Sequence, residues 1–236
     1  MDRPTDALEE LALAGLEGGF LFALPREAAE RLLAEAIRVN LPAGALVYRD
    51  EESPRLIVVV KGLLRVFLTS ADGRQVTVRY ARSGDVAGLA LVVGGPAPMS
   101  IQAMTSALVV ALRVESLRAL LTTDPGVARA CAEELTRQLY RALDDISEQA
   151  FLPVRQRLVH QLLLLATAGE GPEPALVVHA SQQELADAIG SVREVVTRNL
   201  HQLHEAGLID ISRDEVAIRD PVALTELAGA PARARA

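Results

Sequence analysis

The chain has 236 residues, of which 50% are hydrophobic and 23% are charged, as expected for a folded globular protein. Its formal net charge of −7 counts against nucleic-acid binding, which usually leaves a basic footprint, although the placement of charges matters more than their sum. No apolar run reaches the roughly 18 residues of a membrane span, and the N-terminus lacks a signal-peptide pattern, so we expect a cytoplasmic protein. The single cysteine, Cys131, excludes an internal disulfide and a four-cysteine zinc or iron–sulfur site within one chain.

The first part of the chain changes from a helical to a strand pattern. Residues 6–39 are predicted as short helices, the second of which covers Arg26–Val39 because its apolar residues follow helical spacing. Between residues 41 and 114, short apolar runs are separated by turn signals, including the hairpin signal Asp72-Gly73. Many short strands at near-regular intervals predict a β-sandwich, barrel or roll. The runs are ALVYR, LIVVVK, LLRVFLT, QVTVRYA and VVALRV.

A long helix is predicted after a short one over Ser116–Leu121. Asp124 suits its N-cap and Pro125 its first position, and the helical pattern continues to about Phe151. Apolar residues recur in steps of four and three, the spacing of a coiled-coil seam. The stripe could pack on the chain's own strands or pair with a second copy, and the length of the helix favours the second reading. The predicted seam residues are Ala128, Ala132, Leu135, Leu139, Ala142 and Ile146.

The rest of the chain predicts a winged helix-turn-helix. Pro153 ends the long helix and begins the next, Val154–Thr167. A capping box at Ser181 opens a further helix, and Ser191 is predicted to cap the helix after that, Val192–Ala206. Gly207 suits the position after a helix end, and two alternating runs, LIDIS and EVAIR, then predict a hairpin. In such a unit the second helix enters the DNA major groove with its N-terminal turns forward.

Charged side chains at the start of that second helix are candidate base contacts. An arginine can pair with guanine, a carboxylate can accept from cytosine, and a valine methyl can contact thymine. The alternative is an ordinary solvated face, on which Glu194 and Arg198 form an i,i+4 salt bridge. The residues alone favour neither reading. The candidates are Arg193, Glu194, Val195, Thr197 and Arg198.

The predicted fold class is therefore α+β. It comprises an N-terminal β-roll domain with flanking helices over residues 1–123, a long helix and hinge over 124–152, and a winged helix-turn-helix over 153–222. Residues 223–236 are predicted to be a C-terminal tail.

The chain resembles the family of the catabolite activator protein and the fumarate–nitrate reduction regulator over roughly residues 10–220. The motifs that carry the resemblance are GSVREVVTRNLHQLHEAGLI, FLPVRQRLVHQLLLLA and LPAGALVYRDEESPRLIVVVKGLLRVFLTSADGRQVTVRYARSGDVAG. The first resembles a recognition helix, the second a hinge, and the third a cyclic-nucleotide-type β-roll. The resemblance implies that Arg193, Glu194 and Arg198 contact bases. The phosphate contacts that it implies are Arg155, Ser181, Gln182 and Gln183. His201 lies late on the recognition helix and is a further candidate, either as a phosphate contact or as a surface residue.

The sequence departs from nucleotide-binding members of this family at the positions that would hold the ligand. Where they place a ribose-binding glutamate this chain has Leu89, and their Arg-Ser pair is Met99-Ser100 here. Loss of the arginine removes the strongest contact to a cyclic phosphate, so we expect no ordinary cyclic AMP binding. Haem is disfavoured because residues 1–159 contain no histidine. The candidate effector pocket comprises Gly88, Leu89, Met99, Ser100, Met104, Ala142 and Leu143.

Two readings of that pocket stay open: it has collapsed into core, or it admits an apolar effector of unknown identity. We expect no cofactor and no catalytic constellation, hence no enzyme. The favoured function is a homodimeric regulator of transcription that binds a palindromic operator in double-stranded DNA. By family analogy, the loop at residues 169–177 is a candidate contact for RNA polymerase. The alternative is a ligand-binding or protein-interaction module that has lost DNA binding.

Overall fold

The computed structural model describes residues 11, 15–49, 53, 55–95, 97–168, 176–212 and 215–228. The chain divides into two compact units, an N-terminal unit of residues 1–73 with 78–140 and a C-terminal unit of residues 74–77 with 141–236. In chain order, the elements before residue 124 are α1 (Phe20–Ala23), α2 (Arg26–Ala34), β1 (Ile37–Leu41), β2 (Leu46–Tyr48), β3 (Leu56–Lys61), β4 (Leu64–Thr69), β5 (Gln75–Ala81), β6 (Val86–Ala87), α3 (Leu89–Gly94), β7 (Met99–Ala103), β8 (Ala107–Leu112) and α4 (Val114–Thr123).

The strands form two four-stranded sheets of the predicted roll, with orders β1-β8-β3-β6 and β2-β7-β4-β5. Strand β3 is buried on both faces: Leu56 and Val58 join the core beneath the helices, whereas Ile57 and Val59 join the core between the sheets. A strand enclosed on both faces has a near-continuous apolar sequence, which explains the run LIVVVK. The hairpin predicted at Asp72-Gly73 is confirmed, because β4 and β5 are neighbours and Gly73 adopts a φ of +83°.

One predicted helix is too long. Helix α2 ends at Ala34, and Ile37–Leu41 forms β1, in which Ile37 lies opposite Ala111 of β8. The apolar spacing of α2 continues through Ala36 and Ile37, but the strand pairing along β8 prevails over that local pattern. The sequence prediction also missed α3 and β7, and it placed Val114 in a strand although α4 begins there.

The long helix α5 (Pro125–Phe151) begins and ends as predicted. The Asp124 carboxylate accepts hydrogen bonds from the backbone N–H groups of Gly126 at 2.8 Å and Val127 at 3.3 Å, which satisfies two otherwise unpaired donors. The division between the two units falls within this helix, between Tyr140 and Arg141, before the boundary predicted at Pro153. The first part of α5 packs into the N-terminal core through Val127, Ala130 and Cys131.

The C-terminal unit has the predicted winged helix-turn-helix. Its elements after α5 are α6 (Val154–Leu165), β9 (Thr167–Ala168), β10 (Leu176–His179), α7 (Gln182–Ile189), α8 (Arg193–Glu205), β11 (Ile209–Ile211), β12 (Glu215–Ile218) and α9 (Pro221–Ala228). The strands form one sheet in the order β11-β12-β10-β9. The predicted turn at residues 213–214 lies outside the described residues, as do residues 169–175 of the predicted polymerase loop.

Three boundaries in this unit differ from the prediction. Helix α6 stops at Leu165, because Thr167 pairs with Val177 in the sheet. Helix α9 extends beyond the predicted tail boundary at residue 223, and its Leu224 is fully buried. Ser191 does not cap α8; the N-cap is Val192. Gly207 does end α8, since its N–H bonds to His204 and that of Leu208 bonds to Leu203, the pattern of a Schellman motif.

Among the described residues, no helix combines the length and the apolar character needed to cross a membrane.

Candidate nucleic-acid interface

The first helix of the motif, α7, is fixed by a capping box at Ser181. The Ser181 hydroxyl accepts from the backbone N–H of Glu184 at 3.2 Å, and the Glu184 carboxylate accepts from the backbone N–H of Ser181 at 2.8 Å. The hydroxyl also lies 2.8 Å from the same carboxylate. Ser181, a predicted phosphate contact, therefore uses its hydroxyl within the helix start, which leaves Glu184 and Ser181 as positioning residues for the motif.

The turn between the two helices depends on Gly190. Its φ of +60° lies in the left-handed region, which favours glycine because a side chain is strained there. The next N–H, that of Ser191, bonds back to the Ala186 carbonyl at 3.0 Å. Helix α8 then starts at Arg193 and buries Val196, Leu200 and Leu203 completely, so its opposite face is directed towards solvent.

Three charged residues on that outer face lie near the N-terminal end of α8. Arg193, Glu194 and Arg198 are all exposed. In the described part of the chain, Glu194 and Arg198 form no ion pair with each other, although they are spaced i,i+4. The salt bridge that would explain them as an ordinary solvated face is thus not formed, and both charges remain available to a ligand.

Two other residues predicted to contact bases, Thr197 and Val195, are only half-buried and also take part in hydrogen bonds within the motif. Thr197 is half-buried, and its hydroxyl lies 2.6 Å from the Gln182 side-chain oxygen and 2.9 Å from the Arg193 carbonyl. Val195 is also half-buried, and its carbonyl accepts a hydrogen bond from the buried Asn199 amide at 2.8 Å. Thr197 and Gln182 were predicted to contact different parts of DNA, but here they join α8 to α7.

The remaining predicted phosphate contacts lie in the same unit. Gln183 is exposed and donates to Asp187 at 2.8 Å, and His201 is exposed on the outer face of α8. Arg155, near the start of α6, is half-buried, and its Nε is enclosed without a hydrogen-bond partner among the described residues. The C-terminal unit therefore contains every predicted DNA contact.

The predicted effector residues in the roll are mostly core. Gly88 adopts a φ of +87°, and a Cβ added to it would lie 1.8 Å from the Arg55 carbonyl oxygen, so only glycine fits. Leu89 begins α3 and is fully buried in the core beneath the helices. On β7, Met99 is half-buried and packs on the core between the sheets, and Ser100 lies opposite Phe67 of β4. Met104 is half-buried as well.

A polar cluster next to this region was missed by the sequence analysis. Glu134 on α5 is buried; its carboxylate accepts from Arg137 at 2.7 Å and from Gln138 at 2.7 Å. The Val86 carbonyl accepts from Arg79 at 2.6 Å and from Gln138 at 3.4 Å. These contacts link α5 to the strand that leads to Gly88. A signal was present, because Glu134 and Gln138 continue the stripe of buried residues that Val127 and Cys131 begin.

The predicted seam of α5 divides between two faces. Leu135 packs against the N-terminal core, whereas Leu139 and Ile146 are 57% and 61% exposed. Leu143, predicted for the effector pocket, is 48% exposed on the same stripe, while Ala142 beside it is half-buried. The exposed stripe follows heptad spacing and consists of Ala132, Leu139, Leu143 and Ile146. Ala128, the first predicted seam residue, is half-buried.

No group of three or more His, Cys, Asp or Glu side chains in the described ranges is arranged to hold a metal ion. The thiol of Cys131 is buried. Desolvation, and secondarily the charge of Glu134, raises its pKa to about 11.

Comparison with known proteins agrees with this architecture. The family model for the cyclic nucleotide-binding domain matches residues 38–124, and that for the Crp-like helix-turn-helix domain matches residues 156–227. A cyclic AMP receptor protein of Thermus thermophilus is 30% identical over 78% of this chain and 83% of the relative. A CRP-like cAMP-activated global transcriptional regulator of Mycobacterium tuberculosis is 26% identical over 90% of this chain and 95% of the relative.

The solved structure of a CRP/FNR transcriptional regulator from Thermus thermophilus is also similar. It has a TM-score of 0.69 and 27% identity, covering 83% of this chain and all of that chain. The roll, the long helix and the helix-turn-helix thus occur together and in the same order in both proteins. The chain belongs to the CRP/FNR family of transcription regulators, with a C-terminal helix-turn-helix DNA-binding domain.

Proposed function

We propose that the protein is a homodimeric, cytoplasmic regulator that reads a palindromic DNA operator with α8. The observation that carries the proposal is the outer face of that helix. Arg193, Glu194 and Arg198 are exposed, and within the described ranges Glu194 and Arg198 do not pair with each other, while Val196 and Leu200 hold the opposite face in the core. Exposed charges near the N-terminal end of such a helix have the chemistry that base edges require.

Each of these side chains suits a particular base. An arginine can donate two hydrogen bonds to the O6 and N7 atoms of guanine, and a glutamate can accept from the N4 amino group of cytosine. Arg193, Glu194 and Arg198 together therefore favour G·C pairs in each half-site. Gln183, His201 and Arg155 would contact the phosphates, which set the register of the helix without reading sequence.

Charge is the main argument against DNA binding. Residues 153–236 contain 8 Arg and no Lys against 11 Asp and Glu, so attraction to phosphate is weak. This observation favours the second candidate function, a ligand-binding or protein-interaction module that has lost DNA binding. We favour a sequence-specific DNA-binding protein, in which base contacts supply much of the affinity and non-specific DNA binding is weak.

The exposed stripe on α5 supports the homodimer. Leu139, Leu143 and Ile146 form an apolar row at heptad spacing on a helix of 27 residues. Pairing two such rows buries apolar surface that water would otherwise cover. A two-fold dimer would then present two copies of α8 to successive major grooves, about 34 Å apart. By analogy with the family, we also propose that the loop at residues 169–177 contacts RNA polymerase.

We also propose that cyclic AMP does not control this protein, although the names of two relatives concern that ligand. Leu89 is fully buried, and Met99 packs on the core, so neither offers a polar group to ribose or phosphate. Haem and an iron–sulfur cluster remain disfavoured, and any effector is apolar or absent.

Selection from random duplex DNA, followed by a gel shift across a salt series, tests the function. The proposal predicts a palindromic consensus and an affinity that falls as salt rises. No enriched sequence and no retarded band at low salt would instead support the module that has lost DNA binding. Calorimetry with cyclic AMP tests the effector proposal separately, and micromolar binding would contradict it.

A further inference from the structure

Val192 stands at a helix position where valine is unfavourable. It is the N-cap of α8, with extended backbone angles of φ −111° and ψ 151°, and its side chain makes no capping hydrogen bond. Ser, Thr, Asp and Asn are preferred there because their side-chain oxygens accept from the first N–H groups of the helix. Ser181 does so at the start of α7. The chain thus leaves α8 uncapped by a side chain.

The Val192 side chain is also exposed. Its exposed fraction is 57%, whereas Ile189, the last residue of α7, is buried. A suitable hydroxyl is only one residue away, on Ser191, whose N–H is bonded back into the turn. The arrangement therefore presents an isopropyl group, rather than a cap, at the leading end of α8, directly before Arg193 and Glu194.

We propose that Val192 is a specificity-determining residue that contacts the 5-methyl group of a thymine in the major groove. That methyl is the one apolar group that base edges present there, and the N-terminal residues of a recognition helix approach base edges most closely. The thymine lies beside the base pairs read by Arg193 and Glu194. This inference rests on the proposed function of α8.

Val195, the residue for which the sequence suggests a thymine contact, is less suited to the role. It is half-buried, so part of its methyl surface is already packed in the motif. Val192 has more free apolar surface and lies closer to the end of the helix that enters the groove.

The experiment removes the methyl from each side of the contact in turn. With the selected operator, each thymine is replaced singly by deoxyuridine, which lacks only the 5-methyl group, and the Kd is measured by fluorescence anisotropy. For the wild-type protein, one replacement per half-site should weaken binding about fourfold, the size expected for one buried methyl group. For Val192→Ser, that replacement should have no effect. Val192→Thr keeps one methyl group, so the deoxyuridine replacement should still weaken its binding, but by less than fourfold.

Val222→Ser is the matched control, because Val222 is a similarly exposed valine, at 68%, on α9. It should keep the full deoxyuridine effect. Circular dichroism verifies that each variant is folded, and Val192→Ser should unfold at a slightly higher temperature because serine can cap α8.

Three results would overturn the inference alone while leaving the proposed function intact. These are an operator without thymine beside the G·C pairs, no deoxyuridine effect in the wild type, and an equal effect in the wild type and Val192→Ser. If selection enriches no sequence at all, the proposed function fails and this inference fails with it.

Discussion

The hydroxyl of Thr197 lies 2.6 Å from the side-chain oxygen of Gln182, which ties the recognition helix to the helix before it. Both residues are half-buried. The contact joins the start of α7 to α8, the helix that carries the exposed charges. We expect Thr197 and Gln182 to position α8, which complements the direct base contacts proposed for Arg193 and Glu194.

Thr197→Val should therefore lower stability and weaken DNA binding without changing base preference. Valine preserves the shape of threonine but cannot donate, and the lost hydrogen bond costs about 1 kcal/mol in the free energy of unfolding. Chemical denaturation measures this loss. Thr197→Ser keeps the hydroxyl and serves as the control. A changed consensus for Thr197→Val would show that this side chain reads a base directly.

Leu143→Glu should dissociate the proposed dimer. It places a charge in the middle of the exposed stripe on α5, where a paired helix would have to bury it. Analytical ultracentrifugation should show dimer for the wild type and monomer for the variant at micromolar concentration. Leu164→Glu is a matched control, because Leu164 is 47% exposed on α6 and lies outside the stripe; it should remain dimeric. A dimeric Leu143→Glu protein would place the interface elsewhere.

Cys131 should react slowly with thiol reagents in the folded protein. Burial, and secondarily the charge of Glu134, raises the pKa of this thiol to about 11, so little thiolate is present at pH 8. Labelling should become fast only when the protein unfolds, which a time course in denaturant measures. Glu134→Gln should lower the thiol pKa a little while keeping the hydrogen bond from Gln138. Labelling of the folded wild type at the rate of a free thiol would contradict the buried position.

Asp145 should make stability depend on pH. Partial burial, and then the charges of Glu148 and Asp144, raises its pKa to about 6. The folded protein then binds the proton more tightly than the unfolded chain, so the contribution to stability is full below the unfolded pKa, near 3.8, and is lost as pH rises through about 6. Because the burial of Asp145 is only partial and much of its surface stays exposed, solvent screens these charges and the effect is expected to be small.

Asp145→Asn consequently should raise the Tm at pH 7.5 and change it little at pH 4. Thermal unfolding followed by circular dichroism measures both values. A Tm for Asp145→Asn that falls at pH 7.5 would show that the charged carboxylate is stabilising.

Local signals in the sequence predict most of the fold. Asp124-Pro125, the capping box at Ser181 and Gly207 each fix a helix end through their own chemistry, so those ends were found to the residue. Ile37–Leu41 was misassigned because its conformation is set by pairing with β8, far away in sequence. Glu134 was missed because a glutamate on a long helix usually lies in water, and its burial depends on how α5 packs against the roll.

In the candidate site, too, the sequence predicts features that depend on local spacing but not those that depend on packing. Arg193, Glu194 and Arg198 could be proposed from sequence because helical spacing places them opposite Val196 and Leu200. The sequence could not predict that Glu194 and Arg198 stay unpaired with each other, nor that Thr197 bonds to Gln182. Side-chain rotamers and the packing of the two helices decide both features. The exposure of Val192 likewise depends on α8 starting one residue later than the Ser191 cap would imply.

The central claim, that α8 reads bases, is tested most directly by the base preference of Glu194→Ala. Binding of the wild type and the variant is measured against operators with every single base-pair change. We predict that the variant loses discrimination at one G·C pair per half-site, by about 1–3 kcal/mol, and keeps it elsewhere. Glu205→Ala, on the last turn of α8, should leave every preference unchanged. An unaltered preference for Glu194→Ala at all positions would contradict the account.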